Sequence, residues 1–148
     1  MSRRLCVRLL RYWGPLAVWL AAIFFFSTDT MSAPRTSRFV EPMIRWLLPD
    51  ASPETVYVAH VAIRKCGHLA EYALVALLTF RAIRSGRAER FRASWAGWAF
   101  AIAAGYAFVD EFHQSFVSTR SGSLGDVAID AAGAALALLA LAWWRRKG

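Results

Sequence analysis

Four long apolar runs alternate with charged segments along the chain. They cover about residues 12–28, 56–80, 94–112 and 124–144. A helix of about 20 predominantly apolar residues crosses the ~30 Å hydrocarbon core of a bilayer, and only a helix or a closed barrel can satisfy the backbone there. The pattern therefore predicts an all-α polytopic membrane protein, a bundle of four transmembrane helices in which residues 1–148 form a single domain.

A shorter periodic segment lies between the first two runs. Phe39, Val40, Met43, Ile44 and Leu47 recur at helical spacing, which predicts a short helix in the membrane interface. The alternative is a loop that packs on the bundle.

The first run follows a basic segment, a pattern that is also typical of a cleaved signal peptide. Ser32 and Ala33 resemble the residues before a cleavage site, but Pro34 follows directly and three more apolar runs come later. We therefore predict an uncleaved first span.

Arginine distribution predicts the orientation. Arginines precede the first run, five lie in the segment 81–92, and the chain ends with basic residues at 145–147. By the positive-inside rule these segments lie in the cytoplasm. Four spans with cytoplasmic N- and C-termini satisfy the rule, and the loops at about 28–51 and 116–123 then lie outside.

Composition agrees with the membrane prediction. The chain is 57% hydrophobic, and its net charge is +8. A basic protein of this size could bind nucleic acid, but here the arginines flank apolar runs, which is typical of residues beside lipid headgroups. We expect membrane lipid as a partner and no nucleic acid. Cys6 and Cys66 have no metal-ligand spacing and indicate no disulfide framework.

The predicted orientation brings polar residues of three spans to one depth, the outer half of the bundle. They are Lys65, His68, Glu71 and Tyr72 on the second span, Asp110, Glu111, His113 and Gln114 at the end of the third, Arg120 in the next loop, and Asp126 and Asp130 on the fourth. An intramembrane charge costs at least ~2.5 kcal/mol, so such groups persist when they pair, line a wet cavity or perform chemistry. We expect these residues to form a ligand-binding site.

A purely structural salt-bridge network is an alternative. The expected pairs are Lys65 or Arg64 with Glu111 or Asp110, and Arg120 with Asp126. Ser123 and Asp126 also have the spacing of a capping box at the start of the last helix, and Gly133 continues the Asp130 stripe as a small residue suited to close helix packing.

These polar blocks resemble a known family. Lys65-x-x-His68-x-x-Glu71-Tyr72, Asp110-Glu111-x-His113-Gln114 and Arg120-x-Gly122-Ser123-x-x-Asp126-x-x-x-Asp130-x-x-Gly133 are similar to the blocks of the VanZ-like family of bacterial membrane proteins. The resemblance covers roughly residues 29–141. It departs at position 130, which is Asp here where relatives often carry Asn. A carboxylate buried at that position must be protonated or paired.

The resemblance implies a small helical protein of the bacterial cytoplasmic membrane. The family is named for a protein associated with resistance to the glycopeptide teicoplanin, so a role in cell-envelope physiology or in such resistance is implied. The ligand would be a lipid-linked cell-wall precursor or a glycopeptide antibiotic, with Arg120 and Lys65 contacting its phosphate or carboxylate.

An intramembrane acid/base enzyme acting on a lipid-linked substrate is the other alternative. Its candidate catalytic residues are Asp110, Glu111, His113 and His68, because carboxyl and imidazole groups can act as general acid and base. The chain has no Gly-x-Ser-x-Gly nucleophile motif. A variant of this alternative has two histidines and several carboxylates coordinating a divalent ion. No single segment has a metal-ligand spacing such as His-Glu-x-x-His, so we predict no metal and no cofactor.

Overall fold

Five α-helices build the molecule. The computed structural model describes residues 3–29, 32–120 and 122–147, and within these ranges it contains no strand. The helices are α1 (Arg3–Phe26), α2 (Ala33–Leu47), α3 (Pro53–Arg84), α4 (Ala93–Gln114) and α5 (Leu124–Lys147). The all-α prediction is confirmed for the described part of the chain.

Three helices are long and apolar enough to cross a membrane: Arg3–Phe26, Pro53–Arg84 and Leu124–Arg145. Helix α4 coincides with the predicted third span and has 22 residues, but it is not among the three. A fourth transmembrane helix therefore stays a prediction.

Apolar side chains also cover much of the outer surface. Large exposed ones include Val18, Phe25, Trp98, Phe108, Leu136 and Leu139. So much exposed apolar surface is unfavourable in water and marks contact with lipid or protein. Together with the apolar helices, it identifies a membrane protein.

Helix α2 forms where the apolar periodicity predicted a short helix. It packs against α3, Ile44 is buried, and Phe39 and Trp46 are exposed. The Thr36 hydroxyl lies 3.3 Å from Nε2 of His60 in α3. The segment is therefore a helix, and its position in the membrane interface stays a prediction.

Helix α3 is the longest element and contacts all four others. It begins at a helix cap, where the Ser52 hydroxyl accepts a hydrogen bond of 3.2 Å from the Thr55 amide and Pro53 takes the first helical position. Its single run of 32 residues joins a polar first half to an apolar second half. It is the axis on which the rest of the bundle is arranged.

Small residues let the neighbouring helices approach closely. Ala99, Ala103 and Ala107 form a fully buried stripe of α4, spaced one turn apart. On α5, a Cβ at Gly133 would lie 2.3 Å from the Leu69 carbonyl oxygen of α3. This contact confirms the small-residue stripe predicted on α5, and it holds α5 directly against α3.

Helix α1 lies along α3 and α4. The Trp19 indole donates a hydrogen bond of 3.2 Å to the Glu71 carbonyl oxygen, and the Tyr106 hydroxyl donates one of 2.8 Å to the Leu20 carbonyl oxygen. These bonds bring the end of α1, and Ser27 after it, beside the end of α4.

The two ends of the bundle differ in chemistry. At one end, Arg8 donates to the Ser85 carbonyl oxygen at 2.8 Å and Arg81 donates to the Arg11 carbonyl oxygen at 2.9 Å. A cavity of about 730 Å³ there is lined by Arg3, Arg4, Arg8 and Arg11 among others. We call this the basic end. The polar residues of the predicted site lie at the opposite end.

Candidate functional site

The site lies where α1 and α4 end, α5 begins, and α3 is in its polar half. Helix α4 contributes Asp110, Glu111 and Gln114, all buried, and α5 contributes Asp130, which is fully buried. Helix α3 contributes Lys65, His68 and Glu71. These residues, with Arg64, Arg120 and Asp126, are called the polar cluster below.

Asp110 stands at the start of a continuous chain of hydrogen bonds. Its Oδ1 accepts from the Ser27 hydroxyl, and its Oδ2 accepts from the Gln114 side-chain amide at 3.0 Å. The Gln114 Oε1 in turn accepts from Arg120 at 3.0 Å, and Arg120 also donates to the Phe26 carbonyl oxygen at 2.6 Å. The chain ties the end of α1 to the end of α4 and to the following loop.

Glu111 fixes the start of α5. Its Oε2 accepts a hydrogen bond of 2.8 Å from the Ser123 amide. A Cβ at Gly122 would lie 2.2 Å from the Glu111 carbonyl oxygen, so glycine is needed for the loop to come this close. The Ser123 hydroxyl accepts from the Gly125 amide at 3.1 Å.

The predicted capping box is thus wrong in both of its hydrogen bonds, since the Asp126 amide bonds the Ser123 carbonyl oxygen and not the Ser123 hydroxyl. In such a box the acid three residues into the helix accepts from the amide of the capping residue. Here Glu111 of α4 takes that amide, because the loop is pressed against α4. Asp126 is left to pair with another helix.

The ion pairs also differ from those expected. Lys65 Nζ lies 3.1 Å from Asp126 Oδ1, and His68 Nδ1 lies 3.2 Å from Asp130 Oδ1. Both pairs join α3 to α5, since these two helices are in close contact. In the part of the chain that the structure describes, neither the expected pair of Lys65 with Glu111 or Asp110 nor that of Arg120 with Asp126 is found. Arg120 turns back over α1 and α4 instead, and Arg64 donates to the Thr36 hydroxyl at 3.3 Å.

Two predicted site residues are placed differently from the rest: His113 faces away from the polar cluster, and Tyr72 reaches Asp110 from the core. The His113 ring stacks on Phe24 of α1, with 4.5 Å between the ring centroids, so it faces α1. Tyr72 lies in the core with its ring centroid 6.5 Å from that of Tyr106. The structure therefore brings together most, but not all, of the residues that the sequence selected.

Ser27 and Thr36 were missed by the sequence prediction. Ser27 is the first polar residue after the first apolar run, and Thr36 lies on the segment before the apolar stripe of α2. The position of Ser27 at a span end was a signal for it, whereas nothing in the sequence pointed from Thr36 to α3.

Two adjoining cavities open into the polar cluster. One has a volume of about 250 Å³ and the other about 210 Å³, and they share four lining residues: Arg64, His68, Gln114 and Arg120. Glu71, Asp110 and the apolar side chains of Ile23 and Phe26 complete the first cavity, and Lys65, Thr119 and Asp126 are among those that complete the second.

Electrostatics at the loop favours an anion. Burial lowers the pKa of Arg120 and the positive charge of Arg64 lowers it further, while the nearby carboxylates of Asp110, Glu111 and Glu71 act in the opposite direction. Arginine nevertheless stays protonated in proteins. Two guanidinium groups that repel each other beside a cavity gain most from a negative ligand between them.

A second feature is a convergence of possible ligand atoms. His68, Glu111 and Asp130 each place one nitrogen or oxygen so that the three atoms lie within 4.8 Å of one another. The three residues come from α3, α4 and α5. They are the residues of the site that could hold a metal ion.

A family model described as VanZ/LLP1 matches residues 12–145 of the chain. No curated protein and no solved structure matches it. The match extends over almost the whole chain and includes every residue of the polar cluster. This protein therefore belongs to the VanZ/LLP1 family.

Proposed function

We propose that this protein binds the anionic head of an amphiphilic ligand at the outer face of the bacterial cytoplasmic membrane. The ligand is a lipid-linked cell-wall precursor or a lipophilic glycopeptide antibiotic. All four long helices span the bilayer in this proposal, both termini are cytoplasmic, and the polar cluster faces outward.

Separation of charge between the two ends of the bundle supports this orientation. The arginines of α1 and of the α3–α4 connection meet at the basic end, where the positive-inside rule places the cytoplasm. The polar cluster, at the other end, then lies at the outer face. It holds five carboxyl groups against three bases and one histidine, so it lacks the excess of positive charge that the rule associates with cytoplasmic segments.

The observation that carries the proposal is the pair of arginines shared by the two cavities. Arg120 is held by Gln114 and by the Phe26 carbonyl oxygen, so its guanidinium is ordered before a ligand arrives. Arg64 lies on the same cavity walls. A preorganised guanidinium binds phosphate or carboxylate with little further loss of entropy.

Apolar side chains at the same end suit the rest of an amphiphile. Phe25, Phe112 and Phe116 are exposed there, and Ile23 and Phe26 line the first cavity. A ligand with its charged head between the arginines can keep its hydrocarbon chain against these residues and in the bilayer.

Binding is tested with the full-length protein in lipid nanodiscs, using a polyprenyl phosphate and the neutral polyprenol of the same length. We expect saturable binding of the phosphate alone. Arg120→Gln and Arg64→Gln should each weaken it about 10- to 100-fold, because a hydrogen bond to a charged group contributes about 1.5–3 kcal/mol. Arg38→Gln, an exposed arginine of α2, is the matched control. Equal binding by all variants, or no preference for the phosphate, contradicts the proposal.

The proposed role in antibiotic resistance is tested in a separate experiment. Expression of the wild type in a glycopeptide-susceptible host should raise the inhibitory concentration of teicoplanin, and Arg120→Gln should not. Polyprenyl phosphate binding without any change in susceptibility would assign the site to the lipid and reject the resistance role.

Orientation is tested by thiol labelling in a Cys6→Ser, Cys66→Ser background. A cysteine introduced at Ser118, in the loop before α5, should react in intact cells with a membrane-impermeant reagent, whereas one introduced at Ser94 should react only after lysis. The reverse result excludes the proposed topology.

Acid/base catalysis by Asp110, Glu111 and His68 stays a second prediction. Recovery of a chemically altered lipid from wild-type nanodiscs, but not from Glu111→Gln nanodiscs, would favour it. A purely structural network predicts instead that every variant changes thermal stability and none changes lipid binding.

A further inference from the structure

We infer that His68, Glu111 and Asp130 form a binding site for a first-row divalent cation, Zn²⁺ or Mn²⁺, between α3, α4 and α5. This goes beyond the proposed function and does not depend on it. The sequence predicted no metal because the three ligands lie on three different helices, so no short segment shows their spacing.

The geometry suits one ion. His68 Nδ1 lies 3.2 Å from Asp130 Oδ1, and the Glu111 ligand atom completes a set within 4.8 Å. Zn–N and Zn–O bonds of about 2.0–2.2 Å at tetrahedral angles place ligand atoms roughly 3.4 Å apart. Small side-chain movements therefore close the site around an ion.

The carboxylates lack the partners that burial demands. Asp130 is 0% exposed and Glu111 is 4% exposed. Within residues 3–29, 32–120 and 122–147, no hydrogen-bond donor is found for either oxygen of Asp130 or for Glu111 Oε1. The Asp130 contact with His68 is an ion-pair distance without hydrogen-bond geometry. Buried polar groups are rarely left in this state, and a bound cation would take Glu111 Oε1 and at least one oxygen of Asp130.

The nearby bases that the structure describes are engaged elsewhere. Lys65 pairs with Asp126, and Arg120 is bonded to Gln114 and Phe26. A protonated His68 would offset only one of the two buried carboxylates. A divalent cation with neutral His68 offsets both, and a neutral assembly has the smaller cost of burial.

Surrounding contacts orient the ligands. The Ser123 amide holds Glu111 Oε2, so Oε1 is the oxygen that remains for the ion. The close contact of Gly133 with Leu69 fixes α5 against α3, three residues after Asp130 and one after His68. Such outer contacts are a regular feature of metal sites, because they hold the ligands in place.

Ligand chemistry narrows the choice of ion. One imidazole and two carboxylates suit Zn²⁺, Mn²⁺ or Fe²⁺, whereas thiolate ligands would be expected for softer metals. Three protein ligands leave at least one position open. Of the three ligands, His68 lines both cavities, so water or an anion would reach an ion from the His68 side.

The test uses the full-length protein in nanodiscs, stripped with a chelator and then equilibrated with Zn²⁺ or Mn²⁺ alone. We expect one equivalent of metal by elemental analysis and a rise in melting temperature that saturates with metal. Asp130→Asn and Glu111→Gln should each weaken binding at least ~100-fold, since outer partners alone change affinity by ~10–100-fold. Asp50→Asn, an exposed loop position, is the matched control.

X-ray absorption of the Zn²⁺-loaded protein gives an independent measurement. We expect one imidazole nitrogen with oxygen ligands in the wild type, and loss of the imidazole signal in His68→Ala. Helical circular dichroism and a monodisperse elution profile show which variants are folded. Absence of stoichiometric metal in the wild type, or undiminished binding by folded Asp130→Asn, overturns the inference.

Discussion

Gly133 of α5 lies so close to Leu69 of α3 that a Cβ at position 133 would come within 2.3 Å of the Leu69 carbonyl oxygen and 2.9 Å of its Cα. Backbone atoms cannot move aside as a flexible side chain can. The contact therefore sets the separation of α3 and α5, and with it the distance between His68 and Asp130.

Gly133→Ala should separate these two helices. Overpacking of this kind costs about 1–3 kcal/mol, so we expect a lower melting temperature in detergent and weaker retention of any ligand of the polar cluster. Gly105→Ala on α4 is the control, because a Cβ at Gly105 meets nothing within 4 Å. Equal stability of the two variants would mean that the helices are not held by this contact.

Ser27→Ala should destabilise the protein. It removes the hydroxyl that donates to Oδ1 of the buried Asp110, and a buried acceptor left without a donor costs about 1–3 kcal/mol. Thermal unfolding in detergent measures the loss, and Ser118→Ala at an exposed position should leave the melting temperature unchanged. If Ser27→Ala matches that control, Asp110 does not depend on α1.

Arg120→Lys should loosen the loop between α4 and α5 although the charge is kept. Lysine cannot reproduce the geometry with which arginine bonds Gln114 Oε1 and the Phe26 carbonyl oxygen together. We expect faster amide hydrogen exchange at residues 116–120 and unchanged exchange in the core of α3. Unchanged exchange in both regions would show that the loop is held by other contacts.

The contact between Asp29 and Thr119 should make stability depend on pH. The Thr119 hydroxyl donates to Asp29 Oδ1 at 2.6 Å and holds the pKa of Asp29 below its ordinary value of 3.8. The pKa of Asp29 is lower in the folded protein than in the unfolded chain. The contact therefore stabilises the fold at pH values above the ordinary aspartate pKa, and this stabilisation is lost as the pH falls through the folded-state pKa.

Thr119→Val tests this dependence. The variant should melt at a lower temperature than the wild type near neutral pH, and the difference should shrink as the pH falls below about 4, near the ordinary aspartate value. A difference that is the same at all pH values would show that Thr119 acts through packing and not through the Asp29 carboxylate.

Helix positions could be predicted from the sequence because hydropathy is a local property. The apolar stripe of α2 was readable from a few adjacent residues. The order of the helices was enough to predict that the polar residues of three helices lie at the same end of the bundle. Each of these predictions needed only positions along the chain.

Partners could not be predicted in the same way, because they depend on how far each helix is rotated about its axis. His113 and Gln114 are adjacent in sequence, yet one faces Phe24 and the other the cavities. Asp126 was expected to pair with Arg120, but the loop folds toward α1, and Asp126 pairs with Lys65 instead. The convergence of His68, Glu111 and Asp130 arises from the same rotations and so was not visible in the sequence.

The length of α3 has a consequence for where the cavities stand. Its 32 residues make a rod of about 48 Å at 1.5 Å per residue, against ~30 Å of hydrocarbon. Such hydrophobic mismatch is relieved by tilt or by projection beyond the lipid. Since Glu54, Arg64 and Lys65 lie in its first half, away from the basic end, we expect its first turns to project. They would raise the mouth of the cavities to the level of the phospholipid phosphates, where hydration lowers the cost of every charge in the cluster.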